Sequence, residues 1–208
     1  WHDTGWDLRG IDLSNYAGIR FELAPKQDIE NNRIMLTNPA SIDSWTFRYA
    51  EDGVCYVFFN GVGRNWGDMK NPDPTEGYEI KIANASSKTI SKTVFKSITL
   101  LTKEDVPDTS NLDVLGTKFG SHTDKSYAIG NEIQWVKGGE YGWNFSGVDL
   151  SEYNKVRIEL ESNTSKDMVL HLRDPNHENC YSFSFAEQNV FEANLTGEGY
   201  SWKDENAQ

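Results

Sequence analysis

Apolar and polar residues alternate with a period of two through most of this chain, the pattern of strands buried on one face. Ile19, Phe21 and Leu23 alternate with Arg20 and Glu22, and the same phase returns at Val156, Ile158 and Leu160 against Arg157 and Glu159. The next strands put Ile34 and Leu36 inward with Met35 outward, and Leu170 and Leu172 inward with His171 outward. Both run into Pro-containing turns, TNPA and RDPN. Trp45, Phe47 and Tyr49 then share a face opposite Thr46 and Arg48, as Tyr181, Phe183 and Phe185 do opposite Ser182 and Ser184. In the following strand Cys55, Val57 and Phe59 match Phe191, Ala193 and Leu195 as the inward set, which leaves Tyr56 and Phe58 outward where the later stretch has Glu192 and Asn194. Further strands are predicted at about 78–83 and 93–101 and in LDVLGTKFG and YAIGNEIQWV, while VPDTSN reads as a link.

The correspondence behind these pairs is an internal duplication. GWDLRGIDLSNYAGIRFEL, from Gly5, recurs as GWNFSGVDLSEYNKVRIEL, from Gly142, a spacing of 137; the frame A-E-x-x-V with a later G-x-G-x-x-W-x-D recurs at a spacing of 136. A period this long indicates two copies of a domain rather than a short solenoid repeat. The predicted organisation is a first β-sandwich copy over 1–106, a linker at 107–110 and a second copy over 111–208. Copy one has no counterpart to 111–137 and copy two none to 72–106, so the alternative is one intertwined β-sandwich over 1–208. A sandwich lacking strands would expose backbone and apolar surface.

Composition narrows the partners. Thirty-two acidic against 20 basic residues leave a formal charge of -12, which repels a nucleic-acid backbone or an anionic membrane surface. No apolar run approaches a membrane span, so no membrane insertion is expected. Seven Trp, nine Tyr and ten Phe suit an all-β protein with aromatic rings to spare for stacking. Cys55 and Cys180 do not occupy matching positions in the copies; they are either isolated core thiols or one bridge between the halves.

The recognisable catalytic and metal motifs are absent. There is no Cys/His metal spacing, no phosphate loop opening a helix and no nucleophile elbow. Acidic residues are too many for any pair to identify a glycosidase site. What remains is a strand face. Copy one offers Arg20, Glu22, Arg48, Tyr56 and Phe58, with Arg64 and Trp66 at the rim; copy two offers Arg157, Glu159, His171, Glu192 and Asn194, with Tyr200 and Trp202 at the rim. Flat rings can stack on the C–H face of a sugar while Arg, Glu and Asn bond its hydroxyls. The Arg–Glu pairs read equally well as cross-strand ion pairs on a solvated sheet. The duplicated acids Asp12/Asp149 and Asp68/Asp204 either cap turns or contribute to a structural calcium site; no other cofactor is expected.

At Gly5, Trp6, Asp12, Leu13, Ser14 and Tyr16, and again at Gly142, Trp143, Asp149, Leu150, Ser151 and Tyr153, the chain resembles the β-jelly-roll carbohydrate-binding modules of bacterial plant-polysaccharide hydrolases, within the galactose-binding-like superfamily. The resemblance implies an all-β, antiparallel jelly roll acting as a non-catalytic extracellular module. It would bind a β-glucan, xylan or mannan, tethered to catalytic or other modules and often carrying structural calcium. A cell-surface adhesion or protein–protein module is the alternative, and a glycoside hydrolase or lyase the third reading.

Overall fold

The structure, a computed structural model, describes residues 2–40, 44–67, 72–86, 92–106, 108–123, 126–135, 138–163, 167–174, 180–195 and 200–201, with backbone alone at 2, 65–67 and 200–201. It is all-β, its ladders are antiparallel, and two single-turn 3-10 segments at Pro74–Glu76 and Ser110–Leu112 interrupt the strands. Among the described residues no helix is long and apolar enough to cross a membrane. The chain divides into two compact units, Trp1–Asn144 and Phe145–Gln208.

The first unit holds β1 (His2–Asp7), β2 (Tyr16–Leu23), β3 (Asn32–Thr37), β4 (Ser44–Arg48), β5 (Val54–Phe58), β6 (Arg64–Gly67), β7 (Glu79–Asn84) and β8 (Phe95–Thr102). They form a five-stranded sheet in the order β1-β7-β3-β4-β6 and a three-stranded sheet in the order β5-β2-β8. The inward sets read from the alternation meet in one core, where Ile19, Phe21 and Leu23 of β2 pack with Ile34, Leu36, Trp45, Phe47, Cys55 and Val57, and Ile80 of β7 joins them. Burying each such side chain is worth roughly 1.5–3 kcal/mol, so this sandwich-like pair of sheets carries most of the unit's stabilisation.

One polar side chain enclosed at the edge of this core is bonded on all sides. Asn32, 1 % exposed, donates to the Asp28 carbonyl at 2.5 Å and accepts from Asn84 at 3.1 Å and Thr93 Oγ1 at 2.6 Å, tying β3 to the end of β7 and the approach to β8. The duplicated D-L-S-x-Y string is a turn in both copies: Asp12 Oδ1 accepts from the Ser14 amide at 2.8 Å, and Asp149 Oδ1 from the Ser151 amide at 2.9 Å. Leu13 plugs the core edge, whereas Tyr16 stays exposed.

Four short strands complete the first unit: β9 (Phe119–Ser121), β10 (Tyr127–Ile129), β11 (Glu132–Gln134) and β12 (Tyr141–Trp143). β10 and β11 form a hairpin, and β12 pairs with β9. Tyr127 sits with Phe58 and Leu101 in a second cluster, and Ala17, Tyr56, Val106 and Ile129 pack around them. This cluster lies on the side of the three-stranded sheet turned away from the main core.

The second unit contains β13 (Lys155–Glu159), β14 (Leu170–Arg173), β15 (Cys180–Phe183), β16 (Val190–Asn194) and β17 (Tyr200–Ser201). β13 pairs with β16, and β15 lies between β14 and β17. Equivalent residues face each other in the two units: Val156 opposes Ala193 as Ile19 opposes Val57, and Leu170 opposes Phe183 as Ile34 opposes Phe47. The burial differs. Phe191 and Ala193 are buried, but Val156, Ile158, Leu170, Leu172 and Phe183 are only half-buried, where Phe21, Ile34, Leu36 and Phe47 are fully enclosed. Cys55 and Cys180 are both free and buried, so the bridge between the halves does not form.

Candidate functional site

The outward face of the three-stranded sheet gathers four of the residues expected to bind, Arg20, Glu22, Tyr56 and Phe58, which engage one another, whereas Arg48 and Arg64 stand on strands of the five-stranded sheet. Arg20 and Glu22 are two apart on β2 and so project to the same side. Arg20 Nη1 reaches Glu22 at 2.8 Å and the Arg20 guanidinium lies 5.8 Å from the Tyr56 ring centre. Lys96 of β8 closes on the same carboxylate at 2.6 Å. Its hydrogen bond, followed by that of Arg20, holds Glu22 down to about 2.

Tyr56 and Phe58 do project away from the core, as the alternation requires, yet they do not form an open platform. Their rings stack at 5.9 Å, and Tyr127 closes over both, edge-on at 5.2 Å and 5.4 Å. Phe58 is 5 % exposed and Tyr56 half-buried. The expectation of an exposed aromatic pair is therefore corrected: two large apolar side chains on one sheet face are costly to leave in water, and β10 covers them. Gly63, with φ +84°, makes room for the cover, since a Cβ there would press against the Tyr127 ring at 2.8 Å.

Arg48 is drawn to the loop before β3, donating to the Glu30 carbonyl at 3.0 Å. It faces Arg33 across the ladder, where burial and then the Arg48 charge push the Arg33 guanidinium down. Arg64 opens β6 and is half-buried. The side chains of Trp66 and Tyr200, together with Trp202, Asp68 and Asp204, lie outside the described residues.

The second unit's face is a charge cluster. Arg157 bonds Glu159 at 2.7 Å, Glu192 at 2.6 Å and Glu187 at 3.1 Å, and Lys155 reaches Glu192 at 3.3 Å. Those carboxylates raise Arg157, and Arg157 and then Lys155 lower Glu192. His171 Nδ1 shares a hydrogen bond with Ser182 Oγ at 2.9 Å, across the β14–β15 ladder. Asn194 stands opposite Lys155 at the end of the β13–β16 ladder. In both units the Arg–Glu pair is bonded within its own strand, and a neighbouring strand adds to it, Lys96 to Glu22 and Glu192 to Arg157. A general acid requires a raised carboxyl, and Glu22 and Glu192 are displaced the other way.

A second aromatic group lies on the β9–β12 ribbon. Phe119 pairs with Trp143 in register, and its ring centre is 4.7 Å from that of Trp143 and 4.9 Å from that of Tyr141. All three are half-buried on one face of two strands. The Trp143 indole N–H is anchored on the Leu112 carbonyl at 2.8 Å, which fixes the ring plane. Phe119 has no counterpart in the first copy, so the duplication does not point to this group, although the alternation Tyr141-Gly142-Trp143 puts two rings on one face.

Among the described residues no three acidic, His or Cys side chains converge as a metal site. Asp12 and Asp149 spend an oxygen on their own turns, and those bonds lower both carboxyls. Comparison with protein-family models, curated proteins and solved structures gives no match to the chain.

Proposed function

We propose that this chain is a non-catalytic polysaccharide-binding module of the β-jelly-roll kind. It works outside the cell or at its surface as an accessory to a polysaccharide hydrolase, and takes a β-glucan, xylan or mannan chain. The observation that carries the reading is the ribbon of Phe119, Tyr141 and Trp143. Three half-buried rings packed on two strands, tilted by 53° and 47° to one another and one of them pinned through its indole N–H, form a pre-ordered aromatic group whose exposed faces can take the C–H face of a sugar. The doubled Gly-Trp and D-L-S-x-Y phrases support the same assignment. Fold-level likeness sets only the expectation, and the aromatic ribbon supplies the site.

Affinity electrophoresis of the full chain in gels containing soluble β-glucan, xylan or mannan tests it. Retardation on at least one of them is expected, with loss of retardation in Tyr141→Ala and Phe119→Ala. Unretarded migration on all three would refute the reading, and retardation insensitive to both substitutions would move the site off the ribbon.

A protein-binding or adhesion role is the second reading. Ile98 and Leu100 of β8 stand opposite the core residues Phe21 and Ile19, yet are 43 % and 45 % exposed, an apolar stripe suited to a protein partner.

A further inference from the structure

The β14–β15 ladder of the second unit carries side chains that strand pairing does not require. Alternation sets Leu170, Leu172, Tyr181 and Phe183 on one face and His171, Cys180 and Ser182 on the other. On that second face His171 Nδ1 lies 2.9 Å from Ser182 Oγ and 3.6 Å from Cys180 Sγ. Cys180 is 1 % exposed although it stands off the apolar face, and His171 is exposed. The first unit builds the equivalent ladder with Met35, Ser44 and Thr46 at these three positions, so neither a thiol nor an imidazole is needed to hold the two strands together.

The thiol and the hydroxyl converge on a single nitrogen. An unprotonated Nδ1 has one lone pair, which can accept from the Ser182 hydroxyl or from the Cys180 thiol but serves only one of them well. A metal ion can take that lone pair and the thiolate together, and the spacing suits one geometry. With metal–nitrogen and metal–sulfur bonds of about 2.05 and 2.3 Å, an ion joined to two atoms 3.6 Å apart subtends about 110° between them, the tetrahedral angle. A linear, two-coordinate ion would need a separation of about 4.3 Å.

The geometry points to a zinc-class metal site in the second unit, with Cys180 Sγ and His171 Nδ1 as its protein ligands. A thiolate and an imidazole are the donors of a borderline-soft divalent ion, whereas calcium takes oxygen. The bare ion reaches the sulfur from the side of the exposed imidazole, an approach too narrow for a bulky thiol reagent. Binding displaces the Cys180 thiol proton to solvent and frees the Ser182 hydroxyl from Nδ1. Two coordination positions are left for water, and the ion clips β14 to β15 across the ladder.

The test titrates Co2+, a spectroscopic stand-in for Zn2+, into the untagged, reduced full chain. A thiolate-to-cobalt charge-transfer band in the near ultraviolet is expected to saturate with visible bands of tetrahedral intensity, and Zn2+ should bleach both. Cys180→Ser should abolish the charge-transfer band, while Cys55→Ala should retain it. His171→Gln, at an exposed position, should weaken Co2+ binding by about tenfold or more, the scale on which even outer-shell changes act. Binding should also weaken from about pH 8 to about pH 6, because the thiol must lose its proton and the imidazole must stay neutral. Amide exchange at 170–173 and 180–183 is expected to slow when Zn2+ is added. Absence of a charge-transfer band at millimolar Co2+ would overturn the assignment, and any cobalt then bound would sit on surface carboxylates. A band that survives Cys180→Ser, or an affinity unchanged in His171→Gln, would overturn it equally.

Discussion

Tyr127 decides what the first unit's aromatic face can do. It packs on Tyr56 and Phe58 with an exposure of 1 %, so those three rings form a small core of their own. Phe58→Ala is expected to behave as a core truncation, costing about 3 kcal/mol in urea unfolding of the chain, and to leave polysaccharide retardation unchanged; a stable variant that loses retardation would return the site to this face. Glu22 sets an acid dependence of known sign. Its carboxyl falls from 4.5 to about 2 on folding, so its contribution is complete above about pH 4.5 and is lost as the pH drops towards 2. Glu22→Gln should therefore flatten the fall in melting temperature between those limits, and an unaltered acid limb would show that the Lys96 and Arg20 contacts do not persist in solution.

The duplicated glycines show how one string serves two elements. A Cβ on Gly5 would overlap the Ile80 carbonyl across the β1–β7 ladder, whereas one on Gly142 meets nothing within 4 Å. Gly5→Ala should then loosen β1 and lower the melting temperature, and Gly142→Ala should be near neutral; equal effects in thermal unfolding would contradict the difference in packing. Strand phase was legible from sequence because alternation records which face of a strand is buried: Ile19, Phe21, Ile34 and Val57 all fall where the period of two puts them. Alternation does not record what covers the opposite face. Tyr56 and Phe58 read as outward and are outward, but their cover comes from Tyr127, some seventy residues on, in a stretch with no duplicate to align. Thr46 has the same history, predicted outward and found 2 % exposed. The Arg20/Glu22 and Arg157/Glu159 pairs were legible as chemistry because each duplicates the other in phase, and they bond within their strands at 2.8 Å and 2.7 Å.

Across the whole chain, 32 acidic and 20 basic side chains leave a net charge of -12, while the charged residues on the β2 and β13 faces are engaged in ion pairs within and between strands. A neutral polysaccharide stacked on aromatic rings should accordingly bind with little dependence on salt, because screening acts on charge pairs and not on stacking; a steep loss of retardation on raising sodium chloride from 50 to about 500 mM would point to an ionic ligand instead. Both thiols are enclosed, and burial raises that of Cys55. A thiol reagent should leave the native chain unlabelled and find two thiols after denaturation. Binding on the ribbon is tested most directly by the amide and indole N–H spectrum of the full chain, titrated with the oligosaccharide of whichever polysaccharide retards it. The Trp143 indole resonance is expected to move with saturation while that of Trp45, buried at 2 % exposure, stays in place. A Trp143 resonance that does not move, with shifts confined to the Tyr56 and Phe58 strand, would contradict it.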